Sequence, residues 1–226
     1  SNEGETPLMY AIEEGEFKTV KLLLNKGANC NLKNIKGLSP LMIMVESYNV
    51  SSENSEDFLL EYFEENQTDF YQDLDEVVSI LVHNTKEENA VFIENEAEYE
   101  YPLYVPVLVE AIFNEHEVLA NLLIKNGINT SLTMPYNTTT LMIATESDLE
   151  NTVQLLLEIG APVNEVITGG EYKGETALSC AVRNNNKNIV KNLVAYGAKN
   201  IKGGKSLLSL AEDSEMKQLL IKLGLK

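Results

Sequence analysis

An all-α array of short helix pairs is the fold class this 226-residue sequence predicts, on three observations. The run Thr6-Pro7-Leu8-Met9 returns as Ser39-Pro40-Leu41-Met42, 33 residues later. Glycines fall 21 residues after four such starts, at Gly27, Gly127, Gly160 and Gly197. Between start and glycine the apolar residues keep helical spacing: Leu8, Ala11 and Ile12, then Val20, Leu22, Leu23 and Leu24. Isolated helices below roughly 12–15 residues are marginal in water, so each pair must bury its apolar face against a neighbour.

Taken in order, helix-pair units start near Thr6, Ser39, Pro106, Thr139, Thr176 and Ser206, at intervals of 33, 67, 33, 37 and 30 residues. In unit one, Gly15 ends the first helix and Gly27 closes the second, the usual C-terminal place for glycine. Leu108, Ala111, Ile112, Leu122, Leu123 and Ile124 hold the apolar positions of unit three. Leu141, Ala144 and Leu155 to Leu157 hold them in unit four, and Leu178, Ala181, Ile189, Leu193 and Val194 in unit five. Unit six is three residues shorter before Gly224 and carries Glu212, Asp213, Glu215, Lys217 and Lys222. A terminal unit has no outer neighbour, so this charged one is expected to cap a single array over residues 4–226.

Unit two breaks the period. Its first helix is expected from about Pro40 to Tyr48 and its second from about Asp73 to His83, leaving an insertion at about 50–72. Phe58, Leu59, Leu60, Tyr62, Phe63, Phe70 and Tyr71 lie in it, and 58–65 is expected to form a short amphipathic helix laid on the array. A lengthened arm follows at about 86–104. Loops beyond about 12–15 residues are commonly functional or disordered.

The run TPLMYA followed by GANCN, on a 33-residue period, resembles the ankyrin repeat, whose pattern is T-P-L-H-x-A. Methionine stands at Met9, Met42 and Met142, where the family has a histidine that ties hairpin to helix. The resemblance implies an ankyrin-repeat solenoid of about six helix-pair units joined by hairpin arms. It also implies a non-enzymatic protein-binding module with contacts from hairpin tips and the ends of the inner helices. Carried over by position, the inner-helix row is Glu13 and Glu14, Glu46 and Ser47, Phe113 and Asn114, Glu146 and Ser147, Arg183 and Asn184. The hairpin row is Ile35, Lys36 and Leu38, Tyr99 and Tyr101, Pro135, Tyr136 and Thr138, Tyr172 and Lys173.

The net charge of −18 is uneven. Residues 37–124 hold 20 acidic residues against one basic, Lys86, while the remainder holds 15 against 16. Glu94, Glu96 and Glu98 on the long arm join Glu46 in this acidic middle section. Such a surface either solubilises or steers a basic protein partner. It disfavours nucleic acid and anionic membrane, both of which require positive charge. No run of about 18 apolar residues suggests a span. The expected function is capture of a protein, basic on the charge argument, along the concave face, with Phe113 and Tyr136 as apolar anchors. The alternative is a structural or spacer segment of a larger multidomain protein.

No catalytic, cofactor or metal motif emerges. Gly204-Lys205-Ser206 imitates the end of a phosphate loop, but Lys199 stands where that motif needs glycine. Asp69, Asp73, Asp75 and Glu76 lack the glycine-turned loop of a calcium site, and His83 and His116 have no zinc spacing. Cys30 and Cys180 fall four units apart, too far for a disulfide, which needs Cα atoms within about 7 Å. Free thiols point to a reducing, cytoplasmic compartment. The array is expected to act as a monomer. Ser1-Asn2 reads as a remnant of expression, with an upstream segment trimmed.

Overall fold

The computed structural model describes residues 4–50, 55–86, 91–94, 103–201 and 206–225, with side chains at 4–48, 70–86, 105–201 and 206–225. Units one, two, four and five each begin with a helix capped by a side chain. Thr6 Oγ1 accepts the amide of Met9, and Met9 Sδ accepts the amide of Thr6 at 3.4 Å. Ser39 with Met42 and Thr139 with Met142 repeat this, both thioethers receiving an amide at 3.5 Å. In unit five Ser179 Oγ does the same for Thr176 at 2.7 Å. The methionines therefore close a capping box in which sulfur replaces the usual carboxylate or amide oxygen.

Among the described residues the helices form six pairs: α1 (Pro7–Glu13) with α2 (Phe17–Asn25), α3 (Pro40–Val50) with α4 (Ser55–Asn84), and α5 (Val107–Phe113) with α6 (Glu117–Lys125). Then come α7 (Thr140–Glu146) with α8 (Glu150–Glu158), α9 (Ala177–Arg183) with α10 (Lys187–Ala195), and α11 (Leu207–Leu210) with α12 (Ser214–Lys222). The chain divides into two compact bodies, residues 1–129 and 130–226. In the first, α1, α3 and α5 pack side by side as an inner layer, and α2, α4 and α6 as an outer one. In the second, α7, α9 and α11 form the inner layer, and α8 packs on α10. Leu8, Leu41, Leu74, Leu108 and Leu119 are fully buried in the first core, as are Leu141, Leu156 and Leu178 in the second.

The turn between the two helices of a pair uses one left-handed residue, nine positions after the unit start: Gly15, Glu115, Asp148 and Asn185. Tyr48 occupies that position in unit two, and α3 runs through it to Val50. A bulky residue enters the left-handed region only at a cost, so the helix continues and the second helix must start elsewhere. It starts at Ser55, not near Asp73. No glycine or proline lies between 55 and 84, so nothing breaks the helix where a separate short one at 58–65 was expected. Its second half is the outer helix of unit two. Phe70 packs on Phe17 with ring centroids 5.4 Å apart, and Lys21 joins Asp73 and Glu76. Residues 51–54 of the expected insertion lie outside the described residues.

The arms are hairpins closed by few bonds. In unit one Asn34 Oδ1 accepts the amides of Lys36 and Leu38, and the Asn34 amide donates to Leu38 O. The long arm pairs β1 (Val91–Glu94) with β2 (Leu103–Pro106) antiparallel, Val91 opposite Pro106. Two asparagines fasten an arm to the end of the next pair. Asn31 Nδ2 donates to Asn84 O while its Oδ1 accepts the Lys86 amide; Asn164 does the same between Gly197 O and the Lys199 amide. Both stand four residues after a closing glycine.

Candidate functional site

The first body gathers carboxylates on its inner helices. Glu13, Glu46 and Glu110 stand on α1, α3 and α5, which are neighbours in that order. The Glu46 carboxyl sits above its ordinary range, chiefly because the surrounding protein displaces water; Lys36 opposes the rise, while Glu110 and Glu13 add to it. Lys36 comes from the unit-one arm, so the structure brings two expected contact residues, Lys36 and Glu46, within electrostatic reach, and Phe113 stands at the end of the neighbouring helix α5. Glu110 lies three residues before Phe113 and so on the same helical face. The Phe113 side chain is 52% exposed. Asn114 Nδ2 donates to Glu110 Oε1 at 3.1 Å. Ile35 projects at the arm tip, 73% exposed.

Glu110 was not among the expected site residues. The signal was available: its position, four after the unit start, holds Tyr10, Ile43, Ile143 and Cys180 in the other long units, and a carboxylate stands only here.

In the second body the equivalent row is charge-paired. Arg183 donates to both oxygens of Glu146, at 2.9 and 2.6 Å, and to Glu175 at 3.4 Å. The Tyr172 ring covers the guanidinium at 4.9 Å. The Glu146 hydrogen bond is the main reason the guanidinium holds its proton more tightly than usual. Asn184 Nδ2 donates to Glu146 O. Burial pushes the Cys180 thiol up to about 12, helped by Glu146 and Glu175, so it remains a protonated core side chain. Glu175, only 1% exposed, is a second residue that position matching missed.

Tyr136 stands at the unit-four arm tip, 60% exposed and left-handed at φ 62°. Its carbonyl accepts the Thr168 amide at 2.8 Å, and its ring lies so close to Gly169 that a Cβ there would overlap it. Tyr172, Glu146 and Arg183 thus form one cluster in the second body, while Tyr136 packs on the loop at Thr168 and Gly169. Of the remaining expected contacts, Glu94 is described only as backbone in β1, and Glu96, Glu98, Tyr99 and Tyr101 lie outside the described residues. Among the described residues no group of three metal-ligating side chains gathers, and no helix is long and apolar enough to cross a membrane. Cys30 and Cys180 are both buried free thiols.

Stacked helix pairs with projecting hairpins define a repeat scaffold. A family model for ankyrin repeats matches residues 1–69 and 108–204, and the chain belongs to the ankyrin repeat family. Similar solved structures include the ankyrin repeat domain of human ASB11, at 23% identity and TM-score 0.50, covering 97% of this chain and 98% of that one. An ankyrin repeat domain from Acinetobacter baumannii AYE superposes with TM-score 0.66 at 19% identity, covering 97% and 98%. That of Bcl-3, a member of the IkappaB protein family, gives 0.51 at 20%, covering 97% and 99%. Among curated proteins, transient receptor potential cation channel subfamily A member 1 of Homo sapiens is 46% identical over 46 residues. That match spans 20% of this chain and 4% of the channel. Ankyrin repeats are generally non-enzymatic protein–protein interaction modules.

Proposed function

We propose that this chain captures a basic protein segment on the inner-helix face of its first body, over Glu13, Glu46 and Glu110, with Phe113 as the apolar anchor. The supporting observation is the exposed Phe113 ring on the same helical face as Glu110, on a helix that neighbours the one carrying Glu46. Aromatic side chains desolvated at the centre of an interface commonly carry much of the binding energy. Surrounding carboxylates raise the association rate of a cationic partner more than its final affinity. The negative charges of Glu94, Glu96 and Glu98 on the long arm would add to the steering of a cationic partner.

The test is binding of a defined cationic peptide to the chain, followed kinetically at low and high salt. Changing Glu13, Glu46 and Glu110 to lysine abolishes steered association, whereas reversing the exposed Glu171 and Glu212 of the second body leaves it intact. Phe113→Ala speeds dissociation, by roughly tenfold if the ring is worth about 1.4 kcal/mol. Equal binding by all variants removes the proposed face.

A further inference from the structure

One side of the first inner helix is left open. Tyr10 on α1 is 59% exposed, and Pro7, three residues before it, is exposed as well. The same two repeat positions hold Pro40 and Ile43 on α3, Val107 and Glu110 on α5, and Ala177 and Cys180 on α9. Glu110 is half-buried and the other five are buried. Each of those helices packs on an earlier inner helix of its own body: α3 on α1, α5 on α3 and α9 on α7. The outer helices agree. Leu123 on α6 and Leu193 on α10, which pack on α4 and α8, have no exposed area, whereas Leu23 at that position of α2 is only half-buried. Lys21 points to α4 through Asp73 and Glu76, and Leu23, about 200° further round the helix, turns away from it. A unit that closes a stack turns a polar side outward, and proline, tyrosine and leucine here are the residues of an internal unit.

The backbone entering unit one is a second, independent sign. Gly4, two residues before Thr6, is left-handed at φ 71°, as Gly37 and Gly174 are two residues before Ser39 and Thr176, at 82° and 88°. In units two and five that glycine ends a hairpin arm: the Gly37 amide donates to Asn34 O and the Gly174 amide to Ile167 O. Gly4 also lies against Ile35 on the next arm, where a Cβ would meet Ile35 Cγ2 at 3.4 Å. We propose that this side of unit one is a stacking surface for one further helix pair of the same repeat, joined to Thr6 through the arm that Gly4 ends. Its inner helix lays an apolar strip, of the kind buried on α1 as Leu8, Ala11 and Ile12, over Pro7 and Tyr10. The proposal stands apart from the docking reading and does not require it.

The test lengthens the chain by one unit, with residues 6–38 duplicated in frame ahead of Thr6. Stacking of the copy raises the urea midpoint and steepens the unfolding slope, because the added pair unfolds with the rest. It also slows amide exchange along α1 of the original unit. Tyr10→Glu in the original unit removes the gain in midpoint. Comparing that gain with and without the substitution cancels its effect on unit one alone. An unchanged midpoint, or a duplicate digested as an unfolded tail, overturns the proposal. A gain that survives Tyr10→Glu overturns it too, since the copy then rests elsewhere. Sedimentation of the parent chain as a dimer that Tyr10→Glu dissolves gives the face to a second copy and likewise overturns it.

Discussion

Replacing Met142 by leucine isolates what the thioether contributes, because the two side chains have nearly the same volume and differ at the sulfur. Met142 and the cap residue Thr139 are both buried, 2% and 6% exposed, so the Thr139 amide has little water to turn to. Its bond to Met142 Sδ spans 3.5 Å. A typical intramolecular hydrogen bond contributes about 0.5–1.5 kcal/mol net, and a buried donor left without a partner costs about 1–3 kcal/mol. Sulfur is a weak acceptor, which places the expected loss near the bottom of the second range, about 1 kcal/mol. The hydrophobic volume is kept, so packing adds less than about 1.5 kcal/mol. Urea unfolding should therefore show a lower midpoint with an unchanged slope, the mark of lost stability without a change in exposed surface. Met9→Leu and Met42→Leu should behave alike, and the three should add, since they lie in separate units. Stability equal to or above that of the parent in all three would mean that sulfur only fills space and that the cap amides are satisfied otherwise.

Leu156→Ala should cost about 2–5 kcal/mol by opening a cavity at a side chain with no exposed area, read from denaturant unfolding; a near-zero change would mean the site collapses fully. Glu115→Gly should stabilise the chain by about 1 kcal/mol, because Glu115 holds φ 59° where its repeat equivalent Gly15 sits without a Cβ penalty. A lower melting temperature would show that the Glu115 side chain, not its backbone, matters. His116 is buried against Tyr48, ring centroids 5.0 Å apart, and burial holds its imidazole below the ordinary 6.5. Its folded form binds the proton less readily than its unfolded form. Its contribution to stability is therefore complete above 6.5 and is lost as pH falls from there through the lower folded value. His116→Gln should flatten that part of the stability–pH curve; an unchanged slope would assign it to other groups.

The fold was legible because helical repeats write themselves into sequence locally. Start, cap and closing glycine stand within one unit, and each helix begins one residue after the start read from the sequence. The second unit was read less well, and Tyr48 shows why. Two short helices separated by a loop require the left-handed turn that every other long unit makes. The signal was the residue type nine after the start: glycine, glutamate, aspartate and asparagine elsewhere, a tyrosine here. The contact row was legible as positions but not as chemistry. Glu146 and Arg183 occupy one repeat position, yet only the inner-layer packing of α7 on α9 makes them an ion pair. Glu110 and Glu175 were missed because matching a row selects one position per unit, whereas a binding surface also takes the residues flanking it.

The division of charge follows the division into bodies. Residues 1–129 hold 25 acidic and 7 basic residues, and residues 130–226 hold 10 of each, so the whole net charge of −18 lies in the first body. Solubility alone would be served as well by spreading it. The second body pairs its charges across units: Arg183 with Glu146 and Glu175, Lys187 with Asp213 and Glu215. In the first body Lys21 does this on the outer layer, for Asp73 and Glu76. On the inner layer the row runs Glu13, Glu46, Phe113. Helices packed at about 8–10 Å lie about one physiological screening length apart, so each carboxylate feels its immediate neighbours and little beyond them. The repulsion is therefore local to Glu46 and its flanking units. Because its folded carboxyl binds a proton more readily than its unfolded one, Glu46 disfavours the folded state progressively as pH rises from the ordinary 4.5 through the folded value. Most of that cost is desolvation, and a cation beside Glu46 would offset only the smaller part that comes from Glu110 and Glu13.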